Sequence, residues 1–181
     1  MYVEAGKIRK PIGILMIEHR LIERALNALE QKAASTDPPD VIAFAELIDF
    51  FGTYADATHH GKEEDIMFAV ADHLNLAPEL VRVLAELRQD HVRFRGYRKI
   101  MAAANRRLAR GDQGSLEELV ATAREFVPRL REHIKKEDKV FFKGFDELQS
   151  DRDREAMKKQ FLAFDAERLH ETYQRVVKRN E

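Results

Sequence analysis

Two decapeptides in this chain repeat one chemical arrangement. HHGKEEDIMF, His59–Phe68, places His59 four residues before Glu63, and HIKKEDKVFF, His133–Phe142, places His133 four residues before Glu137. On a helix, residues four apart lie one turn above each other on the same face. An imidazole and a carboxylate directed together into a helical interior can hold a divalent or trivalent metal. Two further histidines follow an acidic residue, in Glu18-His19 and Asp90-His91. The offset is 72 residues from His19 to His91 and 74 from His59 to His133. The chain therefore reads as two copies of one helical hairpin, each supplying a lone histidine and a histidine–glutamate pair. Packed about a pseudo-twofold axis, the copies would bring His19, His59, Glu63, His91, His133 and Glu137 together inside.

A lone histidine on an apolar stripe is ordinarily a buried residue satisfied by one hydrogen bond, and that reading suits His19 taken by itself. A glutamate on a core stripe is harder to accommodate, because an unpaired buried carboxylate is strongly disfavoured. Two of them, each one turn after a core histidine, call for a compensating cation. His60 and Glu64 share the same spacing, but the residues behind His60 are Asp56, Thr53 and Asp49, whereas those behind His59 are Ala55, Phe51 and Ile48. The second copy has Ile134 where the first has His60. His59 and Glu63 are thus expected inside, with His60 and Glu64 flanking them, unless a rotated helix turns His60 inward. His73 lies about 15 Å along the helix from Glu63 at the usual rise, too far for the same site. His170, on the edge of the apolar face of the fifth helix, is expected at the surface or in packing. Tyr54 and Tyr97 are read as core aromatics in preference to redox-active groups beside the centre.

The elements that must position these residues are helices. Ala, Leu, Glu, Arg and Lys dominate, while Gly and Pro are few, with 8 and 5 residues. Pro11 suits the start of helix 1, whose stripe is Ile8, Ile12, Leu15, His19, Ile22, Leu26 and Leu29. Helix 2 carries Phe44, Ile48, Phe51, Ala55, His59, Glu63, Ile66 and Val70 and should end near Asn75. Helix 3 starts around Pro78 and carries Leu80, Leu84, Leu87, His91, Phe94 and Met101, ending at Gly111–Gly114. Ser115 and Glu118 match a capping box opening helix 4, with Phe126, Leu130, His133, Glu137, Val140 and Phe141 inward and a kink expected at Pro128. A fifth helix over about 150–179, beginning near Ser150, carries Met157, Phe161, Phe164, Leu169, Tyr173 and Val176. The short linkers make consecutive helices antiparallel neighbours. The expectation is an all-α fold in a single domain over 1–181, with the bundle at about 11–145.

Composition removes several functions. The chain has no Cys, which excludes disulfides, iron–sulfur clusters and thiolate chemistry. The formal net charge of −1 gives no electrostatic case for nucleic acid or an anionic membrane surface. No apolar run approaches the ~20 residues of a membrane span, and the N-terminus lacks a signal-peptide apolar core. A cytoplasmic protein is expected.

At these residues the chain resembles the hemerythrin-like, HHE cation-binding family. The matching motifs are EH at Glu18-His19, HHGKEED at His59–Asp65, DH at Asp90-His91 and HIKKED at His133–Asp138. The resemblance spans about 11–145, and the fifth helix is similar to the extra C-terminal helix of many bacterial and archaeal members. It implies an up-down-up-down four-helix bundle holding a non-haem di-iron centre, often oxo- or hydroxo-bridged. The ligands it implies are His19, His59, Glu63, His91, His133 and Glu137, with the two glutamates bridging. Oxygen-carrying members have a second histidine one turn after the helix 3 histidine; here that position is Arg95. Their last carboxylate is an aspartate five residues after its histidine, where this chain has Glu137 at four. The iron–sulfur-repair relatives share the four-histidine, two-carboxylate count but usually carry a cysteine-bearing N-terminal domain.

Imidazole and carboxylate donors suit iron and manganese and admit zinc. The expected function is a di-iron protein that binds, senses or reacts with O2, peroxide or nitric oxide, and the donor set is compatible with binding and with turnover. The alternative is a non-redox metal-binding protein serving iron or zinc storage, delivery or structure.

Overall fold

The computed structural model describes residues 10–165 and 170–181. Every regular element among them is helical. α1 is Pro11–Ala34, α2 runs over 41–71, α3 is Pro78–Leu108, α4 runs over 115–147, α5 is Asp151–Asp165 and α6 is His170–Asn180. Each of the first four packs on its neighbour in sequence, and α4 closes back on α1. Among the described residues no helix is long and apolar enough to cross a membrane.

The starts follow local chemistry. Proline opens α1 and α3, where its missing N–H would have had no helical partner. Asp40 caps α2 by accepting from the Ala43 N–H at 2.9 Å. The expected capping box at Ser115 does not form. Gly114 occupies the cap position, the Ser115 hydroxyl donates to Asp112 at 2.7 Å, and Arg107 takes Glu118. A reciprocal box forms instead at α5, where Asp153 N–H donates to Ser150 Oγ at 3.2 Å and Ser150 N–H to Asp153 Oδ2 at 3.4 Å.

α2 ends at Ala71, before the expected Asn75, and α3 ends at Leu108 with Gly111 supplying the positive φ of 97° in the following turn. α4 continues as α-helix through Pro128. The single fifth helix expected over 150–179 is described as α5 and α6, with the join between them, including Leu169, outside the described residues, as is Ile8.

Two departures from α-geometry decide which residues face inward. α2 is π-helical over Phe51–His60 and Glu63–Phe68, and α4 over Glu137–Phe141. The i→i−5 bonds are direct: Gly61 N–H donates to Asp56 O, and Phe142 N–H to Glu137 O. Such a turn holds one residue more than an α turn. Beyond it, the stripe read from the sequence slips: Ile66, Val70 and Val140 are only half-buried, and Met67, Phe68, Ala71, Phe142 and Phe145 take the interior.

The core is split in two. One cluster gathers Ile22, Leu26, Phe44, Phe51, Phe126 and Leu130, with Val177 of α6. The other gathers Leu15, Phe68, Leu84, Leu87, Phe141 and Phe145, with Met157 and Phe161 of α5. The histidines and glutamates belong to neither and carry the register of the chain from one cluster to the other.

Candidate metal centre

Each of the four long helices contributes. α1 supplies His19, α3 His91, α4 His133 and Glu137, and α2 His59, Glu63 and also His60. All seven side chains are buried. His19, His59, Glu63 and Glu137 offer donor atoms that lie within 4.8 Å of one another, and so do His60, Glu63, His91 and His133. Glu63 belongs to both groups.

The contacts fit two adjoining donor sets. His19 Nε2 is 3.2 Å from Glu137 Oε2, and His59 Nε2 is 3.5 Å from Glu63 Oε1. His91 Nε2 is 3.5 Å from Glu63 Oε2, and His133 Nε2 is 3.2 Å from Glu137 Oε1. His91 Nε2 and His133 Nε2 face each other at 3.2 Å. His60 stacks on His91 with ring centroids 3.9 Å apart.

An outer ring of carboxylates stands behind the histidines and holds His19, His59 and His91 by hydrogen bonds. Nδ1 of His19 lies 2.9 Å from Asp138, that of His59 2.9 Å from Glu18 and that of His91 2.7 Å from Glu64. His133 Nδ1 stands 3.6 Å from Asp90, and His60 Nδ1 3.7 Å from Asp56. An Nδ1–H held by a carboxylate leaves the Nε2 lone pair free to face inward and makes it a better donor. Glu18 and Asp90, each just before a lone histidine, serve the paired histidine of their own hairpin; Glu64 and Asp138 cross to the other. Arg95 anchors this ring from outside, donating to Asp56 at 2.7 Å and to both oxygens of Glu64 at 2.8 and 2.7 Å.

Burial and the adjacent Glu137 push the Glu63 carboxyl well above the usual range. Burial also works to raise Glu137, but His133 and His19 outweigh it and hold that carboxyl down. Burial opposes charge on His19, yet Asp138 and Glu137 raise it to about 9. His60, by contrast, is driven down to about 3 by burial and by neighbouring His91. Burial opposes ionisation of Glu64 as well, but His91 and Arg95 bring it down to about 2.

The donors fit a metal. All four oxygens of Glu63 and Glu137 are buried without a hydrogen-bond partner, as is His19 Nε2. Burying such groups unpaired costs several kcal/mol or more in order of magnitude. Cations held among them would offset these buried groups.

The Hemerythrin HHE cation binding domain matches residues 10–144. The chain belongs to this family. No match to the chain was found among curated proteins or among solved structures. The family is a cation-binding one, and the buried histidine and glutamate cluster could hold a metal.

In this hemerythrin-family chain all six residues singled out by their spacing converge on one centre. Glu64 lies outside it, on His91, as expected. His60 does not merely flank the site: it is buried inside and joins the second donor group. The reason is the π turn over Phe51–His60, which brings two consecutive residues inward where an α turn would admit one. The sequence signal for it is weak: a second histidine beside His59 at the end of a stretch whose Thr58 hydroxyl donates five residues back, to Thr53 O. The apolar wall also shifts, with Phe68 stacked on His91 and Phe142 on His19, each at 5.6 Å, and Phe94 edge-on to His133 at 5.1 Å. Tyr54 packs on Phe50, and the Tyr97 hydroxyl donates outward to Glu125. His73 is exposed beyond the end of α2, and the His170 side chain lies outside the described residues.

Proposed function

We propose that the cluster holds two iron ions and that the protein binds, senses or reacts with O2, peroxide or nitric oxide. The observation that carries the reading is the sharing of Glu63 between two donor groups, which suits a carboxylate bridging two cations. In this reading His19 and His59 would hold one ion, His91 and His133 the other, and Glu63 and Glu137 would serve both. His60 is a third nitrogen for the second ion, standing where Arg95 leaves α3 without one. The ring of four helices is read as an up-down-up-down bundle with α5 and α6 added.

A pair of ferrous ions supplies two electrons together to a small oxidant, or an open position for nitric oxide. The chain's own residues prepare that chemistry. The carboxylate ring fixes the tautomer and aim of His19, His59 and His91. Phe68, Phe94 and Phe142 exclude water from the histidine faces. A narrow cleft is lined by Phe51, Ala55, Phe94, Phe126 and Leu130 together with Asp56, His60, Arg95 and Arg98. Its mostly apolar lining suits a small uncharged ligand.

Elemental analysis and an optical spectrum of aerobically purified protein test this. About two iron ions per chain with an oxo-to-iron absorption is the expected result. Stoichiometric zinc with no response to O2, peroxide or nitric oxide would favour the storage or structural alternative and sink the redox reading.

A further inference from the structure

Lys62 is fully buried, an unusual place for an ammonium. Its Nζ donates to Glu18 Oε1 and to both oxygens of Asp165, at 2.8 and 3.0 Å. The other oxygen of Glu18 accepts from His59 Nδ1 at 2.9 Å. A continuous chain, Asp165–Lys62–Glu18–His59, thus joins α5 to the inner histidine of α2. Its surroundings are built for close docking. A Cβ on Gly61 would fall 2.8 Å from Phe164 Cζ, so the glycine lets α5 approach. Phe161 covers Lys62 with its ring centroid 6.0 Å from Nζ.

The second hairpin shows what the connection adds. Lys136 occupies the position of Lys62 and bonds Asp90 at 3.3 Å and Glu86 at 3.1 Å. Both partners lie on α3, and Lys136 is partly exposed. That half is complete within the four long helices, whereas the first half borrows its outermost carboxylate from α5. Charge explains the consequence. With Asp165 present, Lys62 is shared between two carboxylates and Glu18 keeps more of its negative charge for His59. Without Asp165, Lys62 draws on Glu18 alone, and Glu18 holds His59 less firmly.

We propose that Asp165 is a positioning residue for the metal ion at His19 and His59, so that seating of α5 and loading of that ion are coupled. The inference rests on the two-ion reading above. By linkage the coupling is reciprocal: whatever α5 adds to metal affinity, the metal adds to the docking of α5.

The test uses the full chain. Apoprotein is titrated anaerobically with Fe(II) against a competing chelator, for wild type and for Asp165→Asn, Asp165→Glu and Glu86→Gln. In parallel, hydrogen exchange over residues 151–165 is followed with and without metal. Wild type should bind two ions, with exchange in α5 slowed on loading. D165N should weaken one ion by about 10–100-fold and leave the other unchanged. D165E should restore it in large part, and E86Q, whose lysine is open to water, should do less. In D165N, loading should no longer slow exchange in α5. Equal affinities in D165N and wild type overturn the coupling, even if the variant melts earlier, since a merely structural role moves only the melt. If D165N does not fold, unchanged α5 exchange on loading the wild type overturns it equally. A wild type that takes up no metal instead overturns the reading of the site itself.

Discussion

The two hairpins of this chain carry the same motif and enclose it differently. Around Lys62 the first hairpin is sealed, with Gly61, Lys62 and His60 covered by α5 or turned inward. Around Lys136 the second is open, with Lys135 exposed and Ile134 in the position of His60. The inner histidines and glutamates repeat between the halves, and so do the carboxylates behind them. The difference lies in the flanks: His60 of α2 adds a third nitrogen to the second donor group, and Asp165 of α5 adds an outer carboxylate behind the first. Repetition in sequence therefore preserves the donor set while the surroundings set each donor group's environment separately.

The sharpest break of that comparison is Glu63→Ala. Glu63 approaches His59 and His91, and Glu137 approaches His19 and His133, so each carboxylate faces both halves. In the two-ion reading E63A and Glu137→Ala should therefore each lose both ions; metal content per folded chain measures it. Next comes His60→Ile, which gives the first hairpin the residue of the second. Outer partners of metal ligands are worth about 10–100-fold in affinity, and removal of a direct nitrogen donor should exceed the low end of that range for the ion at His91 and His133. An unchanged chelator competition curve would return His60 to a packing role.

A pH series separates proton from metal. His19 is raised to about 9 by Asp138 and Glu137 against the effect of burial. Below that pH it carries a proton that must leave when its nitrogen binds a cation. Uptake at the His19 group should therefore strengthen by at least about tenfold per pH unit up to about 9, since the raised Glu63 carboxyl also gives up its proton, then level off. His60, held down to about 3 by burial and His91, releases none. Calorimetry in buffers of differing ionisation enthalpy counts the protons.

The smallest effects contrast two glycines. At Gly96 nothing lies within 4 Å of an added Cβ, so Gly96→Ala should stabilise the helix by about 0.5–1 kcal/mol. At Gly61 the added methyl meets Phe164, and Gly61→Ala should cost about 1 kcal/mol or more through overpacking. Denaturant melts should show shifts of opposite sign.

Much of this was legible in the sequence because helical periodicity and a repeat constrain each other. His19 and His91 alone would pass as buried histidines; their offset match with the two histidine–glutamate pairs is what places them. The helix starts at Pro11 and Pro78 follow from a residue whose chemistry leaves little choice. What periodicity could not carry was the change of period itself. Reading Ile66, Val70 and Val140 as interior assumes α-helix throughout, and one wide turn moves the burial on to Met67, Phe68 and Phe142. His60 was misplaced by the same assumption, since its polar predecessors Asp56 and Thr53 describe the outer face only in an α-helix. Asp165 lay beyond reach for another reason: nothing local marks an aspartate 103 residues away as the partner of Lys62.

The crossing of Glu64 to His91 and of Asp138 to His19 has a further consequence. One hairpin alone would orient its paired histidine and leave its lone one without a carboxylate. Set against an identical copy across a twofold axis, it would complete the ring in both directions, as an isologous interface requires. The chain is in this sense a homodimer written on one polypeptide. A true homodimer must repeat every substitution on both sides of its axis. Tandem fusion lifts that bond, and it is what allows Gly61 and His60 on one side to coexist with Lys135 and Ile134 on the other.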